Sequence, residues 1–263
     1  MRVTGRGIYV TSLENVLAQA GGPEAIAATC VDAKLSSLWL RLGRGAHIDA
    51  NFSDPSLPSL RKALDEAGIA LWGWHVPFCA DMGAAKDEAA KVLRWAAHYT
   101  LAGVLIDAER TPESPRFRGG PAEADTYAQA LRGGLVANGQ GIALSSHDQP
   151  VLHQDLPFAV FLGAVNDNCP QVYYQSADVA TRFNKSVAEY SVLEKTRDFK
   201  DRFKPTGNIT VTGDVRLPDV NTCLAAAKAF IDRVHTAGFT AYSFWCWDEA
   251  PAEIWTFFRE VPV

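Results

Sequence analysis

Residues 103–109 read Gly103-Val104-Leu105-Ile106-Asp107-Ala108-Glu109. A short, unbroken apolar run that ends in acids suits a strand buried on both faces, as in a parallel sheet. Asp107 and Glu109 are two residues apart, so at a strand end they point the same way. Two carboxyls placed together repel each other, and one then tends to keep its proton, which suits general acid catalysis. In a solvated loop the same pair would do little.

The pattern recurs on both sides of this stretch. Short apolar runs at 7–10, 37–42, 70–76, 103–106, 141–146, 171–175, 209–212 and 241–247 read as eight strands. Helical patterns lie between them. Segments 84–99 and 220–237 are long, 122–137 ends at Asn138-Gly139, and in 57–67 Leu57, Leu60 and Leu64 share a face. A helix near Pro23 puts Cys30 and Val31 on its apolar side, and 157–162, 187–203 and 251–259 are also read as helical. Residues 44–56 form a polar loop. A second loop, 110–121, carries Pro112, Pro115, Gly119 and Gly120 and is long enough to suggest a function. Eight strands alternating with helices predict α/β class and a single (β/α)8 barrel (TIM barrel) domain spanning 1–263. An open doubly wound sheet would want a glycine-rich phosphate loop after the first strand. Neither that G-x-G-x-x-G pattern nor a Walker A sequence occurs, so no nucleotide cofactor is expected.

The chain has 263 residues and is 48% hydrophobic, enough for a large core. Its net charge of -5 and lack of any basic run argue against nucleic acid as a partner. No apolar stretch is long enough to span a bilayer, so no membrane partner is expected either. The first ten residues hold two arginines but no long apolar run, so the expectation is no signal peptide and a cytoplasmic protein, or one released by lysis. The five cysteines form no C-x-x-C pair, which predicts buried free thiols in a reduced compartment, Cys246 among them in an apolar strand.

Barrel sites lie at the C-terminal strand ends. Those ends offer Tyr9, Arg41, Trp74 and His75, then Asp107 and Glu109, His147 and Asp148, Tyr174 and Gln175, Asp214, and finally Trp247 and Asp248. An acidic, aromatic mouth suits carbohydrate: sugar faces lie on Trp and Tyr while hydroxyls bond to Asp, Gln and His. Phosphate would want more Arg and Lys. Each residue also has a plainer role open to it. Trp72 and Trp74 fit barrel packing, His75 a turn, His147-Asp148 a turn pair, Asp214 a loop, and Asp248 the start of the last helix.

Three segments carry a family resemblance. Gly7-Ile8-Tyr9-Val10-Thr11-Ser12 resembles the opening G-I-D-V-S of the family 25 glycoside hydrolases, the lysozyme-type muramidases. Residues 49–78, DANFSDPSLPSLRKALDEAGIALWGWHVPF, resemble that family's second and third βα region, and GVLIDAE resembles its D-x-E strand. The same strand is similar, more weakly, to the D-I-D-W-E ending of the chitinase-type family 18 signature. Both resemblances imply a glycoside-hydrolase-like barrel with Glu109 as proton donor and Asp107 assisting. Tyr9 stands where the muramidase pattern has Asp, and Leu105 where the chitinase triplet has its first Asp.

The leading expectation is therefore a glycosidase with no cofactor, acting on a carbohydrate, with Glu109 as general acid. Asp214 is expected as the second carboxylate across the mouth, with Asp248 next. If neither reaches, an N-acetyl sugar could supply its own acetamido nucleophile, held by Asp107 and Tyr174. Two alternatives stand beside it. One is a divalent-metal sugar isomerase or epimerase using His75, Asp107, Glu109, His147 and Asp214 around Mn2+ or Mg2+. The other is a barrel that binds glycans without cleaving them, a history that the residues at Tyr9 and Leu105 would fit.

Overall fold

A computed structural model describes residues 1–111, 116–176, 178–194 and 198–263. Its strands are β1 (Gly5–Val10), β2 (Leu35–Arg44), β3 (His47–Ile48), β4 (Ala70–Val76), β5 (Gly103–Ala108), β6 (Gly141–His147), β7 (Asp167–Gln171), β8 (Thr206–Asn208) and β9 (Ala241–Trp245). All but β3 pair in parallel in the order β1-β9-β8-β7-β6-β5-β4-β2, and β1 also pairs with β2. The sheet therefore closes on itself, and the molecule is a single (β/α)8 barrel. The short β3 folds back antiparallel on the end of β2.

The helices are α1 (Leu13–Ala20), α2 (Pro23–Asp32), α3 (Leu57–Glu66), α4 (Met82–His98), α5 (Pro121–Ala137), α6 (Phe158–Ala164), α7 (Val179–Glu194), α8 (Phe199–Arg202), α9 (Val220–Ala237) and α10 (Glu253–Glu260). Several start on side-chain caps. Asp81 accepts from the Ala84 amide at 2.9 Å and Asp219 from the Thr222 amide at 2.8 Å, each satisfying a donor the helix leaves unpaired. Gly238 ends α9 with φ 76°, a left-handed turn that suits glycine. Cys30 lies on the buried face of α2 as expected, whereas Val31 points to solvent. All five cysteines are free and buried, and Cys246 lies one residue past β9. No helix among the described residues is long and apolar enough to cross a membrane.

The core has two layers. One lies between strands and helices. The other fills the barrel: Tyr9, Trp39, Trp72, Trp74, Leu105, Ala143, Cys169 and Cys246 form a separate buried cluster. Trp72 fits because Gly103 and Gly141, on the next two strands, carry no side chain; a methyl group at either would collide with its ring. The barrel is thus packed solid below its mouth.

Three strands differ from the sequence reading in ways that move the expected site residues, while the others agree to within two residues at each end. The seventh strand is β7 at Asp167–Gln171, not 171–175, because its residues Asp-Asn-Cys-Pro-Gln lack an apolar run. The eighth is β8 at Thr206–Asn208, not 209–212; it is a short polar strand whose Thr206 hydroxyl bonds to that of Ser243 at 2.8 Å. The last, β9, ends at Trp245 rather than at 247. In the region expected to be one helix at 187–203, α7 and α8 are described and 195–197 lie outside the described residues. In loop 110–121, Pro112 and Pro115 also lie outside them.

Candidate active site

Asp107 is the penultimate residue of β5, and Glu109 is one residue past its end. Across the ladder, Asp107 is in register with Ser145 of β6, and His147 of β6 with Gln171 of β7. This brings Gln171 over the acidic pair. Its Nε2 donates to Asp107 Oδ1 at 2.8 Å, to Glu109 Oε1 at 2.7 Å and to Ser145 Oγ at 3.2 Å. One amide nitrogen has two protons, so three acceptors share them. Tyr9 Oη donates to Ser145 Oγ at 2.9 Å and completes a chain from β1 to β7.

The Asp107 side chain is 3% exposed and that of Glu109 is 16% exposed. Burial first, then the neighbouring Glu109, pushes the Asp107 carboxyl well above the usual range. The opposing pull of Arg116 is weaker, because its Nη1 is 3.8 Å from Asp107 Oδ2 and closer, at 3.1 Å, to Glu109 Oε2.

Aromatic rings wall one side. The Trp245 ring lies 5.5 Å from Tyr9, 5.6 Å from Trp74 and 6.1 Å from Tyr173, centre to centre. Trp245 is only partly buried and so presents a ring to the mouth. Burial raises the Tyr173 hydroxyl well above its usual range, with Tyr9, Asp107 and Glu109 adding to the shift, so it stays a neutral donor beside the acids. Arg41 lies 5.6 Å over the Trp74 ring and pairs with Asp49.

Other expected site residues are placed elsewhere. His75 points outward, between Tyr127 Oη at 2.7 Å and the Gly45 carbonyl at 2.8 Å, and burial lowers it to about 4, so it stays neutral. Strand alternation explains this, since Trp72 and Trp74 take the inner face. Tyr174 likewise packs outward on Phe230, and Gln175 is exposed. Trp247 packs against Trp255 in the helix layer, the rings 4.3 Å apart and tilted by 45°. Asp214 is exposed, well past the end of β8 and near Glu249. Asp248 accepts from the amides of Thr11 at 2.8 Å and Ser12 at 2.7 Å, and thereby ties the end of β9 to that of β1 rather than opening the last helix. Asp148 pairs with Arg182.

His147 stands behind the acids. Its Nε2 lies 3.1 Å from both the Arg110 amide and the Arg110 carbonyl. His153 stacks on it at 3.6 Å, with Nδ1 3.2 Å from the same carbonyl. The pair clamps the peptide that follows Glu109, and burial lowers His147, so it serves as a neutral acceptor for that amide. The five residues of the metal alternative do not all meet: Asp107 and Glu109 lie together, but His75 is turned outward and Asp214 is exposed, and no group of three His, Cys, Asp or Glu among the described residues could hold a metal ion.

Gln171, Ser145, Tyr173, Trp245 and Arg116 escaped the sequence reading. Once β7 and β9 have their true ends, Tyr173 falls two residues past Gln171 and Trp245 two before Trp247, so spacing by two was the available signal.

No known family profile matches this chain, and no curated protein matches it. Solved structures do. A glycoside hydrolase family 18 N-acetylglucosaminidase from Paenibacillus barengoltzii superposes with a TM-score of 0.72 at 10% identity, over 98% of this chain and 99% of that one. A class V chitinase from Pseudomonas fluorescens Pf-5 gives 0.69 at 10% identity, over 97% and 98%. The spore cortex-lytic enzyme SleL from Bacillus cereus gives 0.64 at 9% identity, over 98% of this chain and 74% of that one. The fold shared with these three structures is a (β/α)8 barrel. At such identities the likeness is one of fold. One of the three is a family 18 enzyme and another a chitinase, whereas the lysozyme-type resemblance, drawn from residues 7–12, 49–78 and 103–109, finds no counterpart among them.

Proposed function

We propose that the protein hydrolyses a glycosidic bond next to an N-acetylhexosamine, with Glu109 as general acid and the substrate's own acetamido group as nucleophile. The observation that carries this reading is the shared donor. Asp107 and Glu109 accept from the same Gln171 nitrogen, so they lie side by side. A nucleophilic carboxylate must instead face the acid across the bond. Asp214 is turned to solvent and Asp248 is committed to two amides, so neither is placed for that role. An acetamido oxygen supplies what the described residues lack. It attacks C1 as Glu109 passes its proton to the leaving oxygen, and the bond to the departing sugar breaks. Asp107 accepts the acetamido N–H, and Tyr173, in the place expected for Tyr174, donates to the carbonyl oxygen. Water then adds at C1 as the bond from C1 to the acetamido oxygen breaks and the acetamido group is restored, Glu109 takes the water's proton, and the configuration is retained.

Glu109→Gln tests this on a panel of aryl glycosides and cell-wall glycans, with and without EDTA. Turnover should fall at least about 100-fold while ligand binding persists. Substrates whose amino group is not acetylated should not turn over, and EDTA should change nothing. Unchanged turnover in the variant would remove Glu109 from the mechanism. One observation favours a second reading, binding without cleavage: Leu105 is buried on the inner face two residues before Asp107, where the chitinase signature has an acid. No turnover in the wild type, with glycan binding retained, would establish that reading.

A further inference from the structure

Three guanidiniums gather at the mouth beside the acids. Arg41, at the upper end of β2, is matched by Asp49. Arg116 lies on Glu109. Arg44, the last residue of β2, is exposed, and its guanidinium has no hydrogen bond or ion pair among the described residues. It nevertheless belongs to the same surface: it is in register with Val76 of β4, and the residue before Val76, His75, is in register with Ile106, the residue before Asp107. Partial burial and the charges of Arg41 and Arg116 lower its pKa, and Asp49 and Asp107 act on it in the other direction. Among the described residues one arginine is thus left over, on the surface that holds another sitting on the acid.

The Arg116 contact is at odds with the role of Glu109. Gln171 holds Oε1 and Arg116 holds Oε2, so N–H donors engage both oxygens of the carboxyl that should hand a proton to the substrate. A neutral sugar offers nothing to draw the guanidinium away. A ligand anion does, because a planar guanidinium exchanges one oxyanion for another with little loss.

We infer that the site takes an acidic glycan, one whose ring next to the cleaved bond carries a carboxylate or sulfate group that binds between Arg44 and Arg116. The anion draws Arg116 off Glu109 as it lands, so that correct binding frees the acid. No covalent step is added to the reaction. The inference rests on the glycan reading above, but it concerns recognition and can be tested without turnover.

Calorimetry on Glu109→Gln compares neutral N-acetylglucosamine oligomers with oligosaccharides of equal length that alternate N-acetylhexosamine with a carboxylated sugar, or that carry sulfate. The acidic ligands should bind about 10- to 100-fold tighter. That margin should shrink with salt and should collapse when Arg44→Gln or Arg116→Gln is added, with Arg44→Lys retaining part of it. In wild-type turnover, the ratio of kcat/KM for acidic over neutral substrate should follow the same order. Preference for the carboxylate or the sulfate series names the anion, and either supports the proposal. Equal binding of acidic and neutral ligands overturns it, as does a preference that survives both arginine variants. Cleavage of neutral oligomers without preference would overturn it while leaving the glycosidase reading intact. Arginine-dependent binding of acidic ligands without cleavage would sustain it and overturn the glycosidase reading.

Discussion

Asp107 folds against an electrostatic cost, being almost fully buried with a second carboxyl beside it. The sign of the resulting pH dependence follows directly. In the unfolded chain Asp107 loses its proton in the ordinary carboxylate range, and in the native protein only at higher pH. Across that window the native state holds more protons, so stability falls as pH rises. Asp107→Asn cannot titrate and keeps an oxygen for Gln171. Urea unfolding from about pH 4 to about pH 7 should therefore show a smaller loss of stability in the variant than in the wild type. An equal loss in both would mean that Asp107 is ionised in the native state. At the residue scale the sequence was unevenly legible. The D-x-E triplet, read together with the strand pattern, picked out the pair that Gln171, Ser145 and Arg116 surround, whereas His75, Tyr174, Asp214 and Trp247 lie elsewhere because strand alternation and strand ends were not visible in it.

At the scale of elements, legibility followed apolar content. β5 and β6 are apolar through most of their length and could be found from it. β7 could not, because it starts at a buried Asp167, which accepts from Arg2 Nε at 2.7 Å and the Val3 amide at 2.8 Å, and it contains Pro170. Its polarity is matched by partners distant in sequence, which no local pattern reveals. The error of four residues moved the site from Gln171 and Tyr173 to Tyr174 and Gln175. Asp248 shows the same dependence on tertiary structure. Its two amide bonds join the ends of the first and last strands, so Asp248→Ala should destabilise the protein by about 3 kcal/mol. Denaturant unfolding would measure this, and a change below about 0.5 kcal/mol would show that the tie is dispensable.

On the scale of the whole molecule, the closed sheet was readable from eight alternating units even with three strand ends misplaced, because closure depends on their number and order. What fills the barrel was less readable. Of the seven tryptophans, Trp39, Trp72, Trp74 and Trp245 lie inside, and only Trp245 among these four is partly exposed. This arrangement gives the protein an optical reporter. Trp39, Trp72 and Trp74 emit from surroundings that a ligand at the mouth leaves dry. Trp245 emits from the edge of the water, against Tyr173. A sugar ring laid on Trp245 would displace that water and shift its emission to the blue. Trp245→Phe should abolish the shift while the emission of the buried rings persists, so occupancy of the mouth can be followed by fluorescence titration without a label. A shift that survives the substitution would place the ligand elsewhere.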